Sequence, residues 1–182
     1  VNDYSYEREY KNYMNIQYPF IPKFYGKTKI NDSNCLILEY IRGNTLKNIK
    51  NMHIDESNKL KIILQLLLIV RFLQNKKYVY RDLSPNNLII DQNNDLFLID
   101  FNKMINVNDE GKITEDTSKN FNNYFVCPEI NDGTIKKYIL TEDVYSVGLL
   151  IYFILIEEDP IYCNRNENYY SFEKLNGKYS TL

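Results

Sequence analysis

Residues 80 to 102 read YRDLSPNNLIIDQNNDLFLIDFN, and the fold turns on how this stretch divides. LIID (Leu88 to Asp91), LFLID (Leu96 to Asp100) and the preceding YVY (Tyr78 to Tyr80) are short runs of β-branched, aliphatic and aromatic residues, the composition that packs on a pleated surface. QNND separates the second and third runs with turn-forming residues. The spacing therefore predicts a hairpin that brings Asn87 and Asp100 together, with Asp82 in the loop RDLSPNN just before it. These three side chains offer only oxygen ligands. Such a set suits Mg²⁺, which keeps several waters and takes one or two protein groups plus the phosphates of a substrate. Asp82 is then placed to face a hydroxyl nucleophile. Read singly, RDL and IDF are ordinary loop acids at strand ends, and it is their combination that points to chemistry.

Working outward, Tyr6, Tyr10, Tyr13 and Met14 recur at helical spacing and predict an amphipathic helix that stops before Pro19. PKFYGKTKI and CLILEY flank the turn residues Asn31 to Asn34 and read as a β-hairpin, while IRGN (Ile41 to Asn44) reads as a linker. Asp55 is the expected N-cap of a helix running to about Asn75, with Leu60, Ile63, Leu64, Leu67, Leu68 and Phe72 as its apolar positions. From Phe101 to Leu140 no periodicity is sustained and a long loop is expected; Glu142 to Ile156 then forms an almost wholly apolar helix that belongs in a core. GKT at Gly26 to Thr28 is not a phosphate-binding loop, because the glycine that motif needs five residues earlier is Ile21.

Composition narrows the function classes. With 22 basic and 24 acidic residues the chain carries a formal charge of -2, which argues against nucleic-acid or anionic-membrane binding by bulk charge. The longest apolar run, Leu60 to Leu73, contains Lys61, Gln65 and Arg71 and is shorter than the roughly 20 residues of a membrane span. No membrane partner is expected. Cys35, Cys127 and Cys163 are odd in number and far apart, so a reducing, cytoplasmic setting is expected rather than a disulfide framework. The single histidine, His53, excludes a two-histidine metal site. A charged, tyrosine-rich start is no secretory leader, and opening on Val1 hints at a fragment or a processed product.

Taken together, these motifs resemble the eukaryotic protein kinase family. YRDLSPNNLII is similar to its catalytic loop, LIDFN to its metal-binding DFG motif, CPE (Cys127 to Glu129) to its APE motif, and DVYSVGLLIYFIL to the buried helix that follows. ILEYIRGNTL resembles the hinge between two lobes, and EYKNYMNIQYPFIPKFYG the end of helix C with the strand after it. The resemblance runs from about Glu9 to Pro160 and implies an α+β, two-lobed fold. Residues 1–40 would be a remnant of the smaller lobe, 41–44 the hinge and 45–182 part of the mainly helical larger lobe. It further implies a protein kinase that moves the γ-phosphoryl of ATP to protein Ser/Thr hydroxyls, with ATP and Mg²⁺ as cofactors and a protein as substrate, and with this chain expected to be a truncated form of reduced or no activity.

By the same resemblance Asp82 would accept or orient the substrate hydroxyl proton, and Asn87 and Asp100 would hold the metal. Glu39 and Ile41 would bond adenine through their backbones, Leu38 would stand behind it as gatekeeper, and Ile89 would pack beneath the ring. Arg81 would bind a phosphorylated loop residue, with Thr114, Thr117, Ser118 and Tyr124 as candidates. Asp143 would brace the catalytic loop through backbone amides, and Tyr13, Phe24, Tyr80 and Phe101 would stack as a spine of four rings.

The departures from the family pattern matter as much. The glycine-rich loop and the lysine that normally pairs with Glu9 do not occur in the chain. Ser84 stands where Ser/Thr kinases carry the lysine that neutralises the γ-phosphate, Asn102 stands for the DFG glycine, and Tyr80 for the usual histidine. Asparagine is the residue next most tolerant of a left-handed backbone after glycine. A pseudokinase or kinase-like binding module is the second expectation. A small-molecule phosphotransferase is the third, and CPE with the DVYSVG helix weighs against it. Arg165 lies too early to pair with Glu129, so apolar surface on the helix 142–156 is expected to need a partner.

Overall fold

A computed structural model describes residues 3–107, 125 and 142–158. Within them the fold is α+β. Helix α1 (Asp3–Asn15) is followed by a hairpin of β1 (Phe24–Ile30) and β2 (Ser33–Leu38). Its two turn residues, Asn31 and Asp32, have φ of +48° and +61°, the left-handed pair that a two-residue hairpin turn demands and that Asn and Asp tolerate best. α1 buries Tyr6 and Tyr13 and half-buries Tyr10, as the expected stripe has it, and adds Asn12 to the buried side, whereas Met14 is exposed.

Strand β3 (Gly43–Thr45) pairs antiparallel with β5 (Leu88–Asp91), which pairs in turn with β6 (Leu96–Leu98), while β4 (Tyr78–Val79) pairs with β7 (Ile105–Asn106). Two expectations are corrected here. Gly43 and Asn44 of IRGN are strand rather than linker, and the stretch beginning at Phe101 contains a strand. Neither three-residue nor two-residue strands carry enough sequence to show a period, and both are held by pairing to distant segments.

Among the glycines of the described residues, Gly43 is the one at which the sheet leaves no room. A Cβ there would collide with the carbonyl oxygen of Ile90 and stand 2.8 Å from Ile89 Cγ2. Gly43→Ala is therefore expected to destabilise the protein by about 1–3 kcal/mol, as overpacking against rigid backbone does. A denaturant midpoint unchanged by that substitution would contradict this register.

Asp55 caps α2 (Glu56–Asn75), its Oδ1 accepting from Asn58 N–H at 2.8 Å. Helix α3 (Glu142–Ile156) packs against α2, and Ile62, Leu66, Ile69, Leu73, Leu150 and Ile154 are among the core side chains of the two helices. The face of α2 is the largest correction to the sequence reading. Leu60 and Leu64 are 62% and 57% exposed, Leu67 and Leu68 are exposed too, and Lys59 and Gln65 are buried. Eleven of the sixteen residues Leu60 to Asn75 being apolar leaves two faces with the same period, and only partners distant in sequence choose between them. Gln65 lies inward because its amide bonds Asp95 Oδ1 (2.6 Å) and Leu96 N–H (2.8 Å), tying helix to hairpin. Lys59 pairs with Glu157 at 2.8 Å just past the end of α3. The apolar surface expected on α3 is confined among its large hydrophobics to Val144 and Leu155; the longer exposed stripe is on α2. No helix of the described residues is long and apolar enough to cross a membrane.

Candidate active site

The hairpin β5–β6 builds the site. Asp91 Oδ1 accepts from Asn93 N–H (2.8 Å) and Asp95 N–H (2.9 Å), which closes the turn. Leu88 then lies opposite Leu98. One step beyond the ladder, Ile99 N–H donates to Asn87 C=O at 3.0 Å, so Asn87 and Asp100 flank the same open end. Asn87 Nδ2 donates to both the backbone oxygen and Oδ2 of Asp82, each at 3.0 Å. The three oxygen-bearing side chains are thereby gathered at one spot, and the amide nitrogen of Asn87 is committed to Asp82. Among the described residues its Oδ1 has no hydrogen-bond partner.

Charge crowds this spot. The carboxyl of Asp100 titrates above the usual Asp range, chiefly because it is buried and also because Asp82 is near; Asn102 N–H, 3.2 Å from Oδ1, and Lys103 oppose the shift. Glu9, on α1, is also pushed up, first by burial and then by the charge of Asp100, against a hydrogen bond from Phe101 N–H. Among the described residues Glu9 forms no ion pair. Lys103 Nζ lies 3.0 Å from Asp82 Oδ1.

The backbone is bent to hold these groups. Arg81 and Asp100 have φ of +72° and +62°, a region that non-glycine residues occupy at a cost of about 1–3 kcal/mol and that clusters at functional sites. Asn102, expected as the left-handed residue, is not among the positive-φ positions; that geometry falls two residues earlier. Asp143 of α3 supports the first bend: its Oδ2 accepts from Tyr80 N–H (2.6 Å) and its Oδ1 from Arg81 N–H (3.0 Å). Tyr80 supports the second. Its hydroxyl contacts the carbonyl oxygens of Ile99 and, at 2.7 Å, Asp100.

The four rings named from sequence meet in one file. Phe24 stacks on Tyr13 at 6.3 Å, Tyr13 meets Phe101 edge-on at 5.0 Å, and Phe101 meets Tyr80 at 5.6 Å. Sequence reasoning missed Asn12, a buried asparagine on α1 whose Nδ2 donates to the carbonyls of Phe101 (2.8 Å) and Met104 (2.9 Å). A polar residue one step from Tyr13 on the buried side of a helix was the available signal, because a buried amide must find partners. Lys103 was missed as well.

The remaining named residues fall as follows. Glu39 N–H donates to Lys23 C=O at 2.8 Å, extending the β1–β2 ladder, and its side chain accepts from Lys23 N–H at 3.1 Å. Among the described residues neither Glu39 C=O nor Ile41 N–H has a backbone partner. Ile89, half-buried, sits in β5 between Thr45 and Phe97. CPE, Arg165 and the loop hydroxyls of Thr114, Thr117, Ser118 and Tyr124 lie outside the described residues.

The sequence profile of the protein kinase domain matches residues 2–179. The chain belongs to the protein kinase family. It is 31% identical over 156 residues to the sucrose non-fermenting protein kinase 1 of Fusarium virguliforme, covering 85% of this chain and 22% of that protein. Similarity to the carbon catabolite-derepressing protein kinase of Saccharomyces cerevisiae is 30% over 157 residues, covering 85% and 24%. The serine/threonine-protein kinase RUNKEL of Arabidopsis thaliana is 26% identical over 140 residues, covering 75% and 10%. The chain thus spans less than a third of the length of each of these kinases.

Proposed function

We propose that the protein transfers the γ-phosphoryl of ATP to Ser/Thr hydroxyls of a protein substrate, with Asp82, Asn87 and Asp100 as the residues that carry it. The supporting observation is the convergence of these three side chains at the open end of one hairpin, on a backbone bent to place them. Residues 1–40 are read as a remnant of the smaller lobe, 41–44 as the hinge and 45–182 as the larger lobe. The unbonded backbone groups of Glu39 and Ile41 fit the edge of adenine, and the half-buried Ile89 fits its face. Arg81 is assigned to a phosphorylated loop residue, and a cytoplasmic setting is part of the same reading.

The donor set fits Mg²⁺. Asn87 presents Oδ1, Asp100 presents a carboxylate with one oxygen uncommitted among the described residues, and three crowded acids leave a cation welcome there. A bound Mg²⁺ would neutralise charge on the phosphates. Everything else is done by the chain. Asp82, held by Asn87, orients the substrate hydroxyl and takes its proton; the hinge holds the nucleotide; the Tyr80 hydroxyl keeps Asp100 aimed. Phosphoryl transfer asks mainly for positioning and electrostatics, which these parts supply.

Incubation of the intact protein with labelled ATP and peptides presenting Ser, Thr or Tyr tests the reading. Label on Ser and Thr peptides is expected. Nucleotide binding without label on any peptide would replace it with the binding-module reading.

A further inference from the structure

We infer that Lys103 supplies the cationic contact to the transferred phosphoryl group. The inference rests on the kinase reading above and goes beyond it. Ser84 in the catalytic loop carries no charge, yet a phosphate entering a site bordered by Glu9, Asp82 and Asp100 meets three acids. Transition-state stabilisation there requires positive charge at the phosphoryl oxygens. Lys103 places a cation at this spot: its Nζ is 3.0 Å from Asp82 Oδ1.

Position and reach both suit the role. Lys103 follows DFN directly, on the segment that Asn12 clamps at Phe101 and Met104, so its backbone is held while its long side chain, 41% exposed, is free to swing. A phosphate carrying several charges attracts the ammonium more strongly than the single carboxylate of Asp82, so leaving Asp82 for it is favourable. In the transfer step the substrate oxygen bonds to the γ-phosphorus and the bond from phosphorus to the bridging oxygen breaks, its electron pair staying on ADP. The hydroxyl proton passes to Asp82. Lys103, having moved from Asp82 to the phosphoryl oxygens, gives up its contact with Asp82 Oδ1 and balances the charge.

The test compares nucleotide affinities of the intact protein with Mg²⁺ present, by calorimetry, for ADP and a non-hydrolysable ATP analogue. Lys103→Met is expected to weaken the analogue at least tenfold and ADP less than twofold, with an unchanged melting temperature, and to lower kcat for peptide phosphorylation more than it raises the KM for ATP. Lys103→Arg, which keeps the charge, is expected to restore most of both. Equal weakening of the two nucleotides, or none, overturns the inference. Failure of the unsubstituted protein to bind either nucleotide overturns both this inference and the reading beneath it.

Discussion

Asp82→Asn is expected to lower kcat for peptide phosphorylation by about 10²–10⁴-fold, the range that a positioned general base contributes, while leaving nucleotide affinity and melting temperature nearly unchanged. The separation follows from what the side chain touches. Asp82 Oδ2 accepts from Asn87 Nδ2, and asparagine retains an oxygen for that bond. Its Oδ1 faces Lys103, a half-exposed partner whose loss costs little stability. What asparagine lacks is a site for the hydroxyl proton. Steady-state kinetics with a Ser/Thr peptide, run beside ADP binding, reads the two effects apart. Wild-type turnover in the variant would remove Asp82 from the chemistry, whereas loss of folding would mean that its charge, paired with Lys103, matters to stability as well.

The site was more legible than the packing around it, for a physical reason. Asp82, Asn87 and Asp100 are tied together by a four-residue turn and one antiparallel register, both local in sequence, so spacing alone placed them side by side. The N-cap at Asp55 and the limits of α3 are local in the same sense. The inward face of α2 is not. Gln65 and Lys59 are drawn in by Asp95, Leu96 and Glu157, groups 30 or more residues away, while leucines with the right period stay outside. Lys103 shares that origin, acting across a fold contact that neither its neighbours nor its period announces, whereas the burial of Asn12 beside Tyr13 was readable but its partners, Phe101 and Met104, were not. Strand β3 was hidden because three residues, one of them a glycine, carry no alternation to read.

Asp143→Ala is expected to be the most destabilising of these substitutions, by roughly 2–5 kcal/mol near pH 5, since it strands the amides of Tyr80 and Arg81 in the core. Those amides belong to the residues that enter the bend at φ +72°, so the catalytic loop loses its support with its stability. The deficit carries a pH signature. Burial, reinforced by Glu142, pushes the Asp143 carboxyl up to about 6, against the two amide bonds and the Arg81 charge. A carboxyl whose folded value lies above its unfolded value of 3.8 contributes stability that is full below the latter and lost as pH rises through the former. The wild-type protein therefore gives up this contribution between pH 4 and pH 6, and the alanine variant has none to give up. The gap between them should shrink by about 1 kcal/mol from pH 5 to pH 7. Urea unfolding of both proteins at the two pH values measures it. A gap that stays constant would mean that Asp143 is ionised in the fold at both, and a gap that widens would reverse the sign of its burial.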